Sequence, residues 1–171
     1  METWDAIRSR RDVREFGDRP LADGDLDRIL DAGRRAPSSV NGQPWDFVVV
    51  TGRERLVELA TVWRFAAHVA RSAATVALIA PMLDDERSRE ILLFDLGQAA
   101  MSMMLAAADL GIGSGHAVVA DERLARELLG YPADRFCAHL IPLGYPAGRP
   151  LVPLRRPRRR PFDDVVHRGR W

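Results

Sequence analysis

The sequence predicts one domain of mixed helices and strands, in either the α/β or the α+β class. Two observations predict this class. Short apolar runs typical of buried strands alternate with periodic segments typical of helices, and a chain of 171 residues has the length of one ordinary domain. No linker or internal repeat divides the chain, so we expect residues 1–171 to form a single domain.

Three helices and two strands are predicted in the first half of the chain. The clearest helix follows Asp23 and ends at Arg34 and Arg35, whose positive charge suits the negative end of the helix dipole. Pro37 cannot continue this helix. The other predicted elements are, in order, a short helix ending before Arg10, a loop at 37–44, a strand at 47–50, a helix opened by a capping box at 51–54 and a strand at 75–80.

A long apolar helix dominates the second half of the chain. The segment from Glu90 to Leu110 is rich in Ala, Leu and Met and carries no charge between Asp95 and Asp109. A helix that is apolar on every side is expected to be buried on every side, which in a small domain often means a subunit interface. Its longest uncharged stretch, 96–108, is too short to cross a bilayer. The remaining predicted elements are a strand at 114–119, a helix capped by Asp121 and stopped by Gly130, and a strand at 136–143.

All 25 basic residues are arginine, so chemistry that needs a lysine, such as a Schiff base or a Walker A site, is excluded. The net charge is +1, but residues 149–171 carry +6 and residues 1–148 carry −5. The arginine run at 155–160 is compatible with a nucleic-acid arm, a solvated tail or a segment laid over an anion. Because the chain has no general basic excess, we expect no nucleic-acid partner.

The cysteine and histidine content points to a cytoplasmic protein without a metal site. The single cysteine, Cys137, cannot form an internal disulfide and is expected to be a small core residue in a reducing compartment. The N-terminus has no apolar signal segment, so we expect a cytoplasmic protein with no membrane partner. No histidine pairs with cysteine or carboxylate at metal-ligand spacing, so no metal is expected.

Two polar segments are candidates for binding a ligand. Arg10, Arg11 and Arg14 place three guanidinium groups within five residues, which can grip a phosphate or form a solvated face. The segment 36–45 combines hydroxyls, amides and prolines ahead of a buried strand. It is either a rigid polar site, with amides that suit the edge of a heterocycle, or an ordinary turn.

A third segment, the glycine-rich 111–115, precedes His116 and is similar at first sight to a dinucleotide fingerprint. It leaves a helix and enters a strand, which is the reverse of the Rossmann order, so that fold is rejected. We expect these glycines to let the backbone approach something flat, and His116 to line a pocket. No protein acid, base or nucleophile stands out, so a cofactor is expected to carry any chemistry.

The order of these motifs resembles the nitroreductase family of FMN-dependent oxidoreductases. The resemblance implies an α+β fold of three α/β/α layers with a central, mostly antiparallel sheet. It also implies an intertwined homodimer with FMN at the subunit interface, the long helix as the dimer helix and the basic tail 149–171 wrapping the partner. The segments that carry the resemblance are 9–16, 36–45, 95–113, 143–146 and 160–167.

The resemblance also implies which residues bind the flavin. The arginine motif would hold the phosphate and the pyrimidine edge, and the 36–45 loop would pack on the ring. The segment after Gly113 would offer a backbone N–H near N5, and the tail would return to the phosphate. The implied residues are, in that order, Arg10, Arg11, Asp12 and Arg14; Pro37, Ser38, Ser39 and Asn41; Val118 or Val119; and Arg158 and Arg160.

The implied activity is ping-pong hydride transfer from NADH or NADPH through FMN to a nitroaromatic, quinone or enone. Asp12 stands where many members carry Ser, which keeps open a specialised flavin chemistry, either oxidative dehydrogenation or flavin fragmentation. A flavin-binding protein without turnover is a further alternative. The segment 59–90 is short for the family, so the acceptor site is expected to be either open or built by His116, Trp63 and Phe65. No protein group is assigned as catalytic.

Overall fold

The structure, a computed structural model, describes residues 1–22, 24–154 and 157–171. Its centre is a sheet of four strands in the order β1-β2-β4-β3, in which each neighbouring pair is antiparallel. The strands are β1 Asp46–Val50, β2 Ala74–Pro81, β3 Gly113–Ser114 and β4 Arg135–Gly144. The helices are α1 Thr3–Ser9, α2 Asp25–Arg34, α3 Arg53–Leu59, α4 Glu86–Asp109 and α5 Glu122–Leu129.

Both faces of the sheet are covered by helices, which explains the continuous apolar run of β2. On one face, Ile29 of α2 and Met103 of α4 join one core with Val76. On the other face, Leu56 of α3 and Ala125 of α5 join a second core with neighbouring sheet residues. These three layers and the antiparallel sheet confirm the predicted α+β, three-layer fold.

The long helix α4 begins about one turn earlier than predicted. Asp85 caps it, because its side chain accepts a hydrogen bond from the Ser88 N–H at 2.7 Å. The prediction of burial on every side is wrong for the single chain, since Leu93, Phe94 and Met101 are exposed, Phe94 to 70%. By length and composition α4 could cross a membrane, but half of its apolar window is buried, as befits the core helix of a layered fold.

Two other local predictions are wrong. The capping box at 51–54 does not form, because Gly52, at a φ of 87°, occupies the N-cap and no side chain caps α3. The strand expected at 114–119 shrinks to β3. Beyond β3, the Gly115 N–H donates to the Pro142 carbonyl of β4, and Ala117 forms an isolated bridge with Leu140. In contrast, Asp121 caps α5 and Gly130 ends it in the left-handed conformation, as predicted.

Cys137 is buried in the second core, as expected of a core residue. Burial and the neighbouring Glu122 carboxylate raise the pKa of the Cys137 thiol to about 12. A thiol in this state is not a nucleophile near neutral pH. Asp23, which precedes the predicted helix, and the tail residues Arg155 and Arg156 lie outside the described residues.

Candidate functional site

The segment that follows α1 is held against the loop that follows α4 by backbone contacts. The Val13 N–H donates to the Ser114 carbonyl at 2.9 Å, and Asp12 forms a parallel bridge with Ser114. Gly115 permits this approach, because a Cβ there would lie only 2.7 Å from the Val13 carbonyl oxygen. The glycine expected to admit a flat ligand therefore admits the chain's own N-terminal segment.

Asp12 lies between two cationic or titratable side chains. Arg10 Nη1 donates to Asp12 Oδ1 at 3.0 Å, and the same oxygen lies 3.5 Å from His116 Nδ1. The carboxylate is thus engaged by Arg10 and His116. Its negative charge is offset locally by Arg10, which reduces its conflict with an anion bound by the rest of the arginine motif.

Three arginines, Arg11, Arg14 and Arg149, surround a cavity of about 270 Å³. Arg11 donates to the carbonyls of Arg149 and Pro150, the second at 3.2 Å, which fixes its guanidinium at the cavity wall. Burial and then the charge of Arg149 lower the pKa of Arg11 below its ordinary value. Arginine nevertheless stays protonated at physiological pH, so the cavity is suited to an anion. The other residues that line it are Asp12, Val13, Glu15, Pro146 and Gly148.

The loop at 37–44 is held by a buried carboxylate on α4. Asp95 is 4% exposed, and its Oδ2 accepts a hydrogen bond from the Ser39 N–H at 2.9 Å. Within the loop, Ser38 Oγ accepts from the Gln43 N–H at 2.9 Å. Sequence reasoning missed Asp95, although a lone acid inside an otherwise apolar stretch of helix is the signal that could have found it.

The backbone of this loop is strained. Val40, Asn41 and Gln43 have φ values of 47°, 57° and 47°, in the left-handed region. This region costs an L-residue roughly 1–2 kcal/mol, and a β-branched residue such as Val40 is the least suited to it. The Val40 side chain is also almost fully exposed. Retained strain of this kind is concentrated at ligand-binding loops.

Three neighbouring cavities lie along α4, from the loop at 37–44 to His116, and adjacent cavities share lining residues. The first, of about 540 Å³, lies between Ser39 and Phe94. The second, of about 590 Å³, extends from Pro37 to Met101. The third, of about 390 Å³, lies between α4 and the sheet and shares Met101 with the second. His116 lines this third cavity, as a pocket residue was expected to do.

His116 is fixed from several sides. Its carbonyl accepts a hydrogen bond from His68 Nε2 at 3.0 Å, and the His139 ring meets its ring edge-on at a centroid distance of 6.0 Å. Burial lowers the pKa of His116, while the Asp12 carboxylate opposes that shift. Burial likewise lowers the pKa of His68. Both imidazoles are therefore expected to be neutral near pH 7.

The segment after β3 offers unpaired donors at the predicted positions. Ala117 N donates to Leu140 and Ala120 N donates to Val62, but no described residue accepts from the N–H of Val118 or Val119. Val118 is exposed. These two N–H groups are available to a ligand, as the sequence-based assignment requires.

The structure does not bring the remaining predicted residues to these sites. Trp63 and Phe65 form an edge-on pair at 5.0 Å, and neither is among the residues that line the cavity of His116. Arg158 and Arg160 are exposed. Within the described residues, neither contacts the arginine motif, and Arg160 donates to the Asp164 carbonyl at 2.7 Å instead.

Comparison with known proteins identifies the family. The profile of the nitroreductase family matches residues 7–77 and 60–145. The chain is 33% identical over 169 residues to a protein of Archaeoglobus fulgidus with the provisional name NADH dehydrogenase/NAD(P)H nitroreductase, covering 96% of each. A protein of the same name from Methanothermobacter thermautotrophicus is 32% identical over 176 residues, which cover 100% of this chain and 88% of that protein.

A solved structure is similar throughout this chain. The NADPH:FMN oxidoreductase of Vibrio harveyi, complexed with NAD+, superimposes with a TM-score of 0.84 and 27% identity. The match covers 97% of this chain and 76% of that one. With the profile and the two archaeal relatives, it places this chain in the nitroreductase family.

Proposed function

We propose that this chain is a homodimeric, cytoplasmic enzyme that transfers a hydride from NADH or NADPH through bound FMN to a small electron-poor acceptor. Members of its family are NAD(P)H-dependent flavin oxidoreductases, and FMN is the cofactor that this membership implies. The acceptor class is a nitroaromatic, a quinone or an enone. The two substrates would react in turn, in a ping-pong sequence.

The observation that carries the proposal is the cavity formed by Arg11, Arg14 and Arg149. A phosphate monoester carries nearly two negative charges at neutral pH, which three guanidinium groups can offset with charge-assisted hydrogen bonds. Asp12 and Glu15 also line this cavity, but Asp12 is paired with Arg10, and the three arginines outnumber the two carboxylates. The donor set therefore fits the phosphate end of FMN.

The other parts of the chain fit the ring of the flavin. The N–H groups of Val118 and Val119 are available to a ring acceptor, and the loop at 37–44 offers a preorganised polar surface. When bound, FMN supplies the group that accepts and donates a hydride. The arginine motif is also expected to reach the pyrimidine edge, where a guanidinium would stabilise the negative charge that develops on reduction, and Arg10, which does not line the arginine cavity, is the member we propose for it.

The exposed apolar stripe of α4 supports a homodimer. Leu93, Phe94 and Met101 lie along cavities that also include Pro37, next to the loop. Large apolar side chains exposed together on a helix mark an interaction surface. Burying them against a second copy would bring the loop of one subunit towards the site of the other, and would let the tail with Arg158 and Arg160 lie on the partner.

The test is direct observation of the flavin and its reduction. We expect the purified protein to sediment as a dimer, to release FMN on denaturation and to bleach anaerobically with NADH or NADPH. A panel of quinones, nitroaromatics and enones should restore the colour. A protein that neither contains nor takes up FMN would contradict the proposal.

Two other outcomes select the alternatives. Bound flavin that neither NADH nor NADPH bleaches identifies a binding protein without turnover. Consumption of the flavin itself when the reduced protein meets oxygen identifies the specialised chemistry suggested by Asp12.

A further inference from the structure

His116 lines a cavity that the proposed function does not use. The cavity has a volume of about 390 Å³, within the range of small-molecule sites. The walls of this cavity are mainly apolar side chains of α4, among them Leu93, Leu96 and Met101. Leu93 and Met101 also belong to the stripe proposed to face a second copy, so in the proposed dimer this cavity would lie at the edge of the subunit interface. His116 and His139 are the titratable groups in this otherwise apolar lining.

The orientation of the His116 ring is set by its neighbours. Nδ1 faces Asp12 Oδ1 at 3.5 Å, and Asp12 is itself held by Arg10 at 3.0 Å. The backbone of residue 116 is fixed by the bond from His68 to its carbonyl. A carboxylate at Nδ1 favours a proton on that nitrogen, which leaves Nε2 as the nitrogen for a ligand in the cavity.

We infer that His116 delivers a proton to the oxygen of an acceptor bound in this cavity, with Asp12 as its positioning residue. The inference rests on the proposed function, in which reduced flavin supplies the hydride. In this step the Nε2–H bond of the His116 imidazolium breaks and an O–H bond forms on the acceptor. With the two electrons of the hydride, a quinone becomes a hydroquinone, and water then returns a proton to His116.

The charges around His116 define how this step depends on pH. Burial lowers the pKa of His116, Asp12 raises it, and His139 on β4 and Arg10 lower it. The nearby His68 contacts the carbonyl of residue 116 rather than its ring. The imidazolium form is therefore populated below the ordinary histidine range, and the acceptor step should slow as the pH rises through that pKa.

The experiment separates the two half-reactions by stopped flow on the FMN-loaded protein at about pH 5.5, where a larger fraction of His116 is imidazolium than at about pH 7. His116→Gln should leave flavin reduction by NAD(P)H within about twofold of the unsubstituted rate and slow reoxidation by duroquinone by about 100-fold, the ordinary size of a general-acid contribution. His139→Gln is the comparison variant, because it removes the other imidazole of the same cavity. Since its ring contacts His116 and affects the pKa of His116, it should slow reoxidation to some extent, but less than His116→Gln does. The control is Arg123→Gln on the exposed side of α5, away from this cavity, which should leave both half-reactions unchanged.

A second readout does not depend on turnover. In the oxidised holoprotein labelled with ¹⁵N-histidine, the His116 ring should occupy the Nδ1–H tautomer and its Nε2 signal should shift when hydroquinone is added. Asp12→Asn should lower the His116 pKa, because it removes the charge that raises it.

The possible results decide between the two levels of the proposal. If His116→Gln is bleached normally by NAD(P)H and is reoxidised at an unchanged rate, the role of His116 is overturned and the proposed function stands. Equal losses of reoxidation rate in both histidine variants have the same meaning. An Nε2 signal of His116 that does not shift when hydroquinone is added also overturns the role of His116. A protein without reducible flavin overturns both the proposed function and this inference.

Discussion

The two halves of the candidate flavin site are held in place by different forces. The arginine motif at 10–14 is fixed by backbone pairing with Ser114 and by a close approach that only Gly115 permits. The loop at 37–44 is fixed by one carboxylate, Asp95, and retains three left-handed residues. The first half is therefore part of the folded sheet region, whereas the second is a strained loop held at one point. A substitution that disrupts the first half should lower the stability of the whole fold, and one that disrupts the second half should change only the loop.

Gly115→Ala is expected to have the largest effect, because it breaks the close approach of the first half. The new Cβ would lie 2.7 Å from the Val13 carbonyl oxygen, so the backbone must move. We expect a loss of about 1–3 kcal/mol in the free energy of unfolding, measured by urea denaturation, together with weaker FMN binding.

Gly148→Ala provides the control for this prediction. Gly148 lines the arginine cavity, and a Cβ there would have nothing within 4 Å. Equal stability of the two variants would show that the approach of Val13 to Gly115 does not hold the arginine motif.

Asp95→Ala should have an intermediate effect that is confined to the second half. It removes the acceptor of the Ser39 N–H and should raise the Kd for FMN by about tenfold, equivalent to about 1.4 kcal/mol. Amide exchange should become faster in the loop at 37–44 and stay unchanged in β2. Asp95→Asn keeps an oxygen acceptor and should lose much less. Faster exchange throughout the sheet would contradict a local role for Asp95.

Mild acid should produce the smallest effect, through His68, which holds the carbonyl of His116 next to Gly115. Burial lowers the pKa of His68 from its ordinary value of 6.5, so the unfolded chain binds the proton more readily than the folded chain. Stability is then complete above about pH 6.5 and is lost as the pH falls below it, through the folded pKa. We expect a loss below about 1 kcal/mol between pH 7 and pH 5.5, measured by denaturation at each pH.

His68→Gln tests the origin of this pH dependence. Gln keeps an N–H donor for the His116 carbonyl but does not titrate, so the loss in this pH window should shrink. His116 has a pKa lowered in the same direction and accounts for what remains. An unaltered pH dependence in His68→Gln would exclude His68 as a source.

The sequence predicted those features that depend on local pattern. The apolar run of β2 and the cap and stop residues of α5 are encoded within a few residues, and each is confirmed. The capping box at 51–54 fails because a pattern alone does not reveal that Gly52 takes a positive φ. The strand predicted at 114–119 is wrong because regular pairing with β4 covers Gly113 and Ser114, and Ala117 forms an isolated bridge beyond them.

In the candidate site, too, local features could be predicted from the sequence and long-range contacts could not. The residue types in the arginine motif and in the loop at 37–44 were visible in the sequence. Their supports were not, because Asp95 is 56 residues from Ser39 and His116 is more than 100 residues from Asp12. Contacts over such separations exist only once the sheet and α4 have formed. Local pattern therefore finds the residues proposed to bind the flavin, and the fold alone identifies what positions them.

The buried Cys137 thiol is a natural reporter of local unfolding around β4. Because the chain has one thiol, a thiol-directed reagent has a single target, and that target lies on β4 beneath α5. The native thiol is both inaccessible and protonated, so modification requires the strand to become exposed first. Where the opened region closes faster than the reagent modifies the exposed thiol, the modification rate gives the free energy of that opening. The protein can thus be followed through partial unfolding without an added probe or a second cysteine.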